Sequence, residues 1–165
     1  MGRAHEIIGQ PLGFLQLCAD RRFHRQVMTA FERHGGLAEA HGAAAATSYW
    51  IEATPGGALA LGDMTVTCRH ALSKGARVVG VAVHGDDCGG YGKWSTSDLE
   101  AALLGAMERR AGMPAFAGVT HLGFMATEQA LRVYRIKGTK AELECWYALG
   151  DVACAERLTS GEPLD

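Results

Sequence analysis

The sequence predicts an α/β fold, a single domain over residues 1–165 with a mostly parallel central sheet flanked by helices. Three observations lead there. A chain of 165 residues is the size of one compact domain. Short apolar, β-forming runs alternate with longer stretches of helical period, which is the pattern of βαβ units. One run, Arg77 to Val83, is almost continuously apolar, as expected of a strand buried on both faces of a parallel sheet.

The first strand is Phe14-Leu15-Gln16-Leu17-Cys18, set off by Pro11 and Gly13. A helix follows from Phe23 to His34, where Val27, Ala30 and Phe31 recur at helical spacing and Gly35-Gly36 supplies a stop. Tyr49 to Ala53 is rich in β-formers and is closed by Pro55-Gly56-Gly57. Ala58 to Lys74 reads as a helix capped by Gly75, although Gly62 and the β-branched Thr65-Val66-Thr67 work against it. After the strong Arg77–Val83 strand comes a loop from Gly85 to Lys93. A helix from about Asp98 to Arg110 is next, with Ser97 and Glu100 offering a capping box. Phe116 to Phe124 and Ala130 to Ile136 are further candidate strands. Lys137-Gly138-Thr139 then turns the chain into Glu142 to Tyr147, whose helix or strand character the pattern leaves open. Ligand sites in open parallel sheets lie beyond the carboxyl ends of the strands. The loops opening at Cys18, Ala53 and His84 therefore carry the most weight.

Composition narrows the partners. Lys and Arg total 16 against 18 Asp and Glu, a net charge of −2 that argues against a nucleic-acid binder. The 48% hydrophobic and 21% charged content excludes general disorder. The 22 glycines, nearly double the usual share of roughly 7%, point to many tight strand–loop–helix junctions. No apolar run approaches the roughly 20 residues that span a bilayer, so no membrane partner is expected. The opening residues, with Arg3 and Glu6 and no apolar core, lack a secretory signal. Five cysteines, odd in number and scattered, then read as reduced thiols or metal ligands in a cytoplasmic protein.

Two of the three important loops begin with metal-ligand residue types: Cys18-Ala19-Asp20-Arg21-Arg22, and His84-Gly85-Asp86-Asp87-Cys88-Gly89. Two thiolates and an imidazole make a three-ligand zinc set that leaves the fourth tetrahedral position for water. Zinc would lower the pKa of that water to about 7, making hydroxide available at neutral pH. Asp20 is placed to accept a hydrogen bond from the water, and Arg22 to hold the Asp20 carboxylate.

These motifs resemble the β-class carbonic anhydrases. That family carries Cys-x-Asp-x-Arg after its first strand, here Cys18, Asp20 and Arg22. It carries a glycine pair after the second strand, matched by Gly56-Gly57, and His-x-x-Cys-Gly after the third, approximated by His84 to Gly89. The resemblance covers roughly residues 14–92. It implies a β-carbonic-anhydrase-like fold, zinc held by Cys18, His84 and Cys88, and an Asp20–Arg22 dyad orienting the zinc-bound water. It further implies reversible hydration of CO2 to bicarbonate by a homodimer or larger homo-oligomer. Strand candidates near the C-terminus also give the chain reason to pair with another copy. Two alternatives stand beside it: a related hydrolase of carbonyl sulfide or carbon disulfide, and a catalytically inactive binding or assembly domain.

One departure is plain. The family spaces its ligands His-x-x-Cys, whereas this chain has His84-x-x-x-Cys88, which sets the family's histidine on Gly85. Strict strand alternation would turn His84 to the opposite face unless Gly85 lets the backbone bulge or turn early. Asp86, Asp87, His70 and His121 are the replacement ligands to consider. Plainer readings compete: an Asp20–Arg22 surface ion pair, and structural roles for Cys68, Cys145 and Cys154. Tyr91 and Trp94 are expected to cover the loop or a subunit interface. Gly89 to Lys93 invites a phosphate-loop reading, which Asp87 and Trp94 disfavour by occupying positions that need Gly and Ser or Thr.

Overall fold

The structure, a computed structural model, describes residues 12–57, 59, 62–85, 88–90 and 94–148. Six strands form one sheet: β1 (Leu12–Cys18), β2 (Tyr49–Thr54), β3 (Ala76–His84), β4 (Thr120–Ala126), β5 (Ala130–Lys137) and β6 (Lys140–Ala148). Their order is β2-β1-β3-β4-β5-β6. The β1–β2, β1–β3 and β3–β4 pairs are parallel, while β4–β5 and β5–β6 are antiparallel. The sheet is therefore mixed, where the sequence suggested a mostly parallel one. The reason is connection length. A parallel crossover needs a dozen or more residues, and only residues 127–129 separate β4 from β5. The segment left open by its pattern is strand β6, joined to β5 by a Gly138-Thr139 turn in which Gly138 has φ 62°. Positive φ at that position is what tight hairpin turns require.

Four described helices pack on the two faces. The buried side of α1 (His24–His34), with Val27, Ala30 and Phe31, shares a cluster with Leu15, Leu17, Ala82, Leu122 and Phe124. The short α2 (Leu37–His41) adds Leu37 to it. The alternate residues of the strands face the other way. There Cys68 and Ala71 of α3 (Val66–Ser73) meet Phe14 and Val79, and Leu99, Leu103 and Met107 of α4 (Thr96–Ala111) meet Val81, Val83 and Met125. The β1–β2 connection thus runs over one face, and the β2–β3 and β3–β4 connections run over the other. The carboxyl ends of β1 and β3 flank the point where the winding reverses, the usual position of a site in such sheets.

Local chemistry explains where the elements depart from expectation. The helix expected over Ala58 to Lys74 is interrupted: residue 59 is helical, residues 62–65 are not, and α3 starts at Val66 with Thr65 as its cap, the Thr65 hydroxyl accepting from the Cys68 amide at 3.1 Å. The capping box of α4 is Ser95 with Asp98 rather than Ser97 with Glu100. Glu100 is engaged elsewhere, accepting hydrogen bonds from Arg132 and Tyr134. Before β4, Pro114–Phe116 forms a 3-10 turn and Gly118 adopts φ 74°, so the strand begins at Thr120.

The face under α4 holds a buried polar network. Arg110 donates to the Gln16 side chain and to the Asp63 carbonyl, Gln16 donates to Glu52, and Thr65 donates to Glu52. His121 lies nearby, 4% exposed and against the Phe116 ring. Burial, reinforced by the Arg110 charge, pushes its pKa down to about 4. The unfolded chain takes up a proton near the ordinary 6.5 that the folded chain refuses until about 4. The His121 contribution to stability should therefore be lost as pH drops from 6.5 to about 4, with no further loss from this group below. His34, lowered chiefly by its own burial, acts in the same sense. Urea midpoints across that range should show a shallower slope for His121→Leu. An unchanged slope would remove His121 from the acid response.

Candidate metal centre

Cys18 is the last residue of β1 and His84 the last of β3, the neighbouring strand. The register pairs Gln16 with Val81, so His84 stands one residue further along than Cys18. The loop after β3 returns Cys88 to this point, with its Sγ 3.8 Å from that of Cys18. One ligand atom from each of the three residues lies within 4.8 Å of the other two. All are buried: Cys18 is 7% exposed, His84 2% and Cys88 5%. The sulfurs are far beyond the roughly 2.05 Å of a disulfide. Two thiolates about 2.3 Å from a tetrahedral zinc ion would sit about 3.8 Å apart, which is the spacing found.

His84 is prepared as a ligand. Its Nδ1 lies 2.9 Å from the Gly85 carbonyl oxygen, which can only accept, so Nδ1 carries the proton. In the neutral ring the lone pair is then on Nε2, which is buried and without a hydrogen-bond partner. An orphaned buried acceptor beside two thiols fits a metal ion. No early turn is needed. The strand stays in register through His84 opposite Ala126, and the Gly85 amide continues it by donating to the Ala126 carbonyl at 2.8 Å. His84 keeps to the α1 face, its ring 5.3 Å from that of Phe23, and still meets the cysteines because both strands end there. His70 packs edge-on to Trp50 on α3, and His121 lies toward the other end of the sheet, so neither joins the cluster. Asp86, Asp87, Tyr91 and Cys154 lie outside the described residues.

Asp20 and Arg22 bond to one another beside the cluster, with the Arg22 side chain 45% exposed. Asp20 caps the 3-10 turn Arg21–Phe23, accepting from the Arg22 amide at 3.0 Å. Arg22 Nε reaches both carboxylate oxygens at 3.1 and 2.9 Å, and its Nη2 reaches Oδ2 at 2.6 Å. The Arg22 side chain, then its amide, hold the Asp20 pKa down to about 2. Asp20 Oδ2 lies 3.8 Å from His84 Nε2, so a fixed negative charge faces the ligand atoms. A small pocket, half open to solvent, adjoins them, walled by Leu17, Phe23, Val27, Ala82 and Ala126 with Asp20 at its side. The first turn of α1 lines it too, presenting the positive end of the helix dipole.

His24 was not marked by any motif. Its Nε2 donates to the Cys18 carbonyl at 2.6 Å, pinning the backbone that carries the first thiol. The glycine pair has a packing reason. Gly57, at φ +58°, lies so close to the end of β1 that an added Cβ would stand 3.0 Å from the Ala82 oxygen and 3.3 Å from the Cys18 nitrogen. A Cβ on Gly90 would come within 2.5 Å of the Gly56 nitrogen, whereas one on Gly89 meets nothing within 4 Å. Gly90→Ala should therefore push the Cys88 loop off its seat and weaken zinc binding by roughly tenfold, the scale of a 1–3 kcal/mol overpacking strain. Gly89→Ala should leave zinc binding unchanged. Equal affinities for the two variants in a chelator competition would show that this contact does not position Cys88.

The remaining described cysteines stand apart. Cys68 is fully buried with Phe14 and Val79, and Cys145 sits 3.5 Å from His34 Nε2; burial raises both thiol pKa values. Trp94 is half-exposed at 49%, close before α4. Fold and site together define a single-domain α/β protein with a mixed six-stranded sheet and a Cys18-His84-Cys88 cluster able to hold a metal ion, compatible with zinc. Compared with known protein families, curated proteins and solved structures, the chain matches none.

Proposed function

We propose that this chain is a divergent β-carbonic-anhydrase-like zinc lyase that hydrates CO2 reversibly to bicarbonate. The observation that carries the reading is the placement of the Arg22-locked Asp20 carboxylate 3.8 Å from the orphaned Nε2 of His84, beside two thiols. Cys18, His84 and Cys88 would hold zinc. When bound, the ion supplies a Lewis acid that brings the pKa of water to about 7. Asp20, ionised throughout the neutral range, accepts a hydrogen bond from the attacking water and fixes its direction. Arg22 keeps Asp20 from turning toward the metal ligands. His24 holds the Cys18 backbone in place. Leu17, Phe23 and Val27 offer an apolar wall to a small uncharged substrate. Nothing in this apolar lining separates CO2 from carbonyl sulfide or carbon disulfide, so those heterocumulenes share the reading.

Stopped-flow CO2 hydration by the zinc-loaded chain tests the proposal. Hydration well above the buffer rate is expected. A rate at background with full zinc occupancy would favour a catalytically inactive binding domain, unless carbonyl sulfide or carbon disulfide is turned over instead.

A further inference from the structure

The sulfur pair carries a chemistry of its own, which rests on the metal reading above but not on the reaction proposed for it. Cys18 and Cys88 come from separate loops 70 residues apart in the chain, and their Sγ atoms are 3.8 Å apart. A disulfide needs about 2.05 Å, so the sulfurs must close by roughly 1.8 Å. There is room for it. Cys88 lies outside the strands, and its neighbour Gly89 has open space where a side chain would be. Cys18 ends its strand and is among the residues that line the pocket, whereas Cys88 is not, so Cys18 is taken as the sulfur that meets the peroxide.

We propose that Cys18 and Cys88 are a redox-gated pair, holding the metal as dithiolate and releasing it when a hydroperoxide closes them into a disulfide. The Cys18 thiolate attacks one peroxide oxygen, the O–O bond breaks, and the departing hydroxide takes up a proton as water. This leaves a sulfenic acid on Cys18. The Cys88 sulfur then attacks the sulfenic sulfur, the S–O bond breaks, and a second water leaves with the Cys88 proton. Two thiols and one hydrogen peroxide become one disulfide and two waters, with two electrons passing to the peroxide. Metal and oxidant compete for the same sulfur lone pairs. A disulfide has no anionic sulfur and does not hold zinc. Cys68 lies among Phe14 and Val79 and Cys145 against His34 Nε2, each with its thiol pKa raised by burial, and neither belongs to the Cys18–His84–Cys88 group.

The test treats the metal-free chain with equimolar hydrogen peroxide and maps its peptides without reduction. The Cys18 and Cys88 peptides should emerge linked, the intact mass should fall by two hydrogens, and zinc binding should vanish until dithiothreitol restores it. The zinc-loaded chain should form the link at least about tenfold more slowly. Cys88→Ser should stop at a sulfenic acid on Cys18, captured by dimedone. Oxidation without the Cys18–Cys88 link, an equal rate in zinc-loaded protein, or zinc retained by the oxidised chain would each overturn the proposal. A chain that forms the link but does not hydrate CO2 would overturn only the reaction proposed above.

Discussion

His84→Ala should lower zinc affinity by at least about 100-fold while the fold survives. Disturbing only the hydrogen-bonded partners of a metal ligand already costs roughly 10–100-fold, and this substitution removes a ligand outright. The lost atom is the buried Nε2 that has no other partner, so no compensating hydrogen bond returns. The strand itself is held by Val78, Val79, Val81 and Val83, which the change does not touch. Cys18→Ser should weaken binding at least as much, because imidazole and thiolate suit zinc better than a hydroxyl does. Chelator competition measures both. Wild-type affinity in His84→Ala would transfer the third ligand position to Asp86 or Asp87, the carboxylates that follow it in the sequence.

Asp20→Asn should slow CO2 hydration on the order of 10², with zinc content unchanged. The substitution keeps the size of the side chain and loses the charge that Arg22 maintains. Arg22→Ala should also slow the reaction, since it frees the carboxylate from the three contacts that now fix its direction. Steady-state hydration rates at equal zinc loading separate these effects from loss of metal. Full activity in Asp20→Asn would exclude Asp20 from the chemistry.

The parts of the molecule legible in sequence were those governed by short-range rules. The Arg77–Val83 run announced a strand buried on both sides, and β3 is that strand. The Cys-x-Asp-x-Arg spacing announced a carboxylate locked by a guanidinium two residues on, and the turn at Arg21–Phe23 makes that geometry local. Long-range pairing was harder to read. That β4, β5 and β6 run as an antiparallel meander depends on a three-residue connection before β5 and a two-residue turn before β6, and the pattern of Glu142 to Tyr147 read equally as strand or helix. The His84–Cys88 spacing looked like a fault because alternation was considered along one strand alone. The cluster forms where two neighbouring strands end, so the histidine need not change face. His24 gave no signal at all, because its role is a single hydrogen bond to a backbone oxygen six residues earlier.

Zinc uptake by the purified, metal-free chain, read by elemental analysis and X-ray absorption, bears most directly on the centre formed by Cys18, His84 and Cys88. One zinc per chain is expected, with two sulfurs at about 2.3 Å and at least one nitrogen near 2.0 Å. A chain that takes up no transition metal, or that binds zinc with no sulfur in its coordination shell, would contradict it.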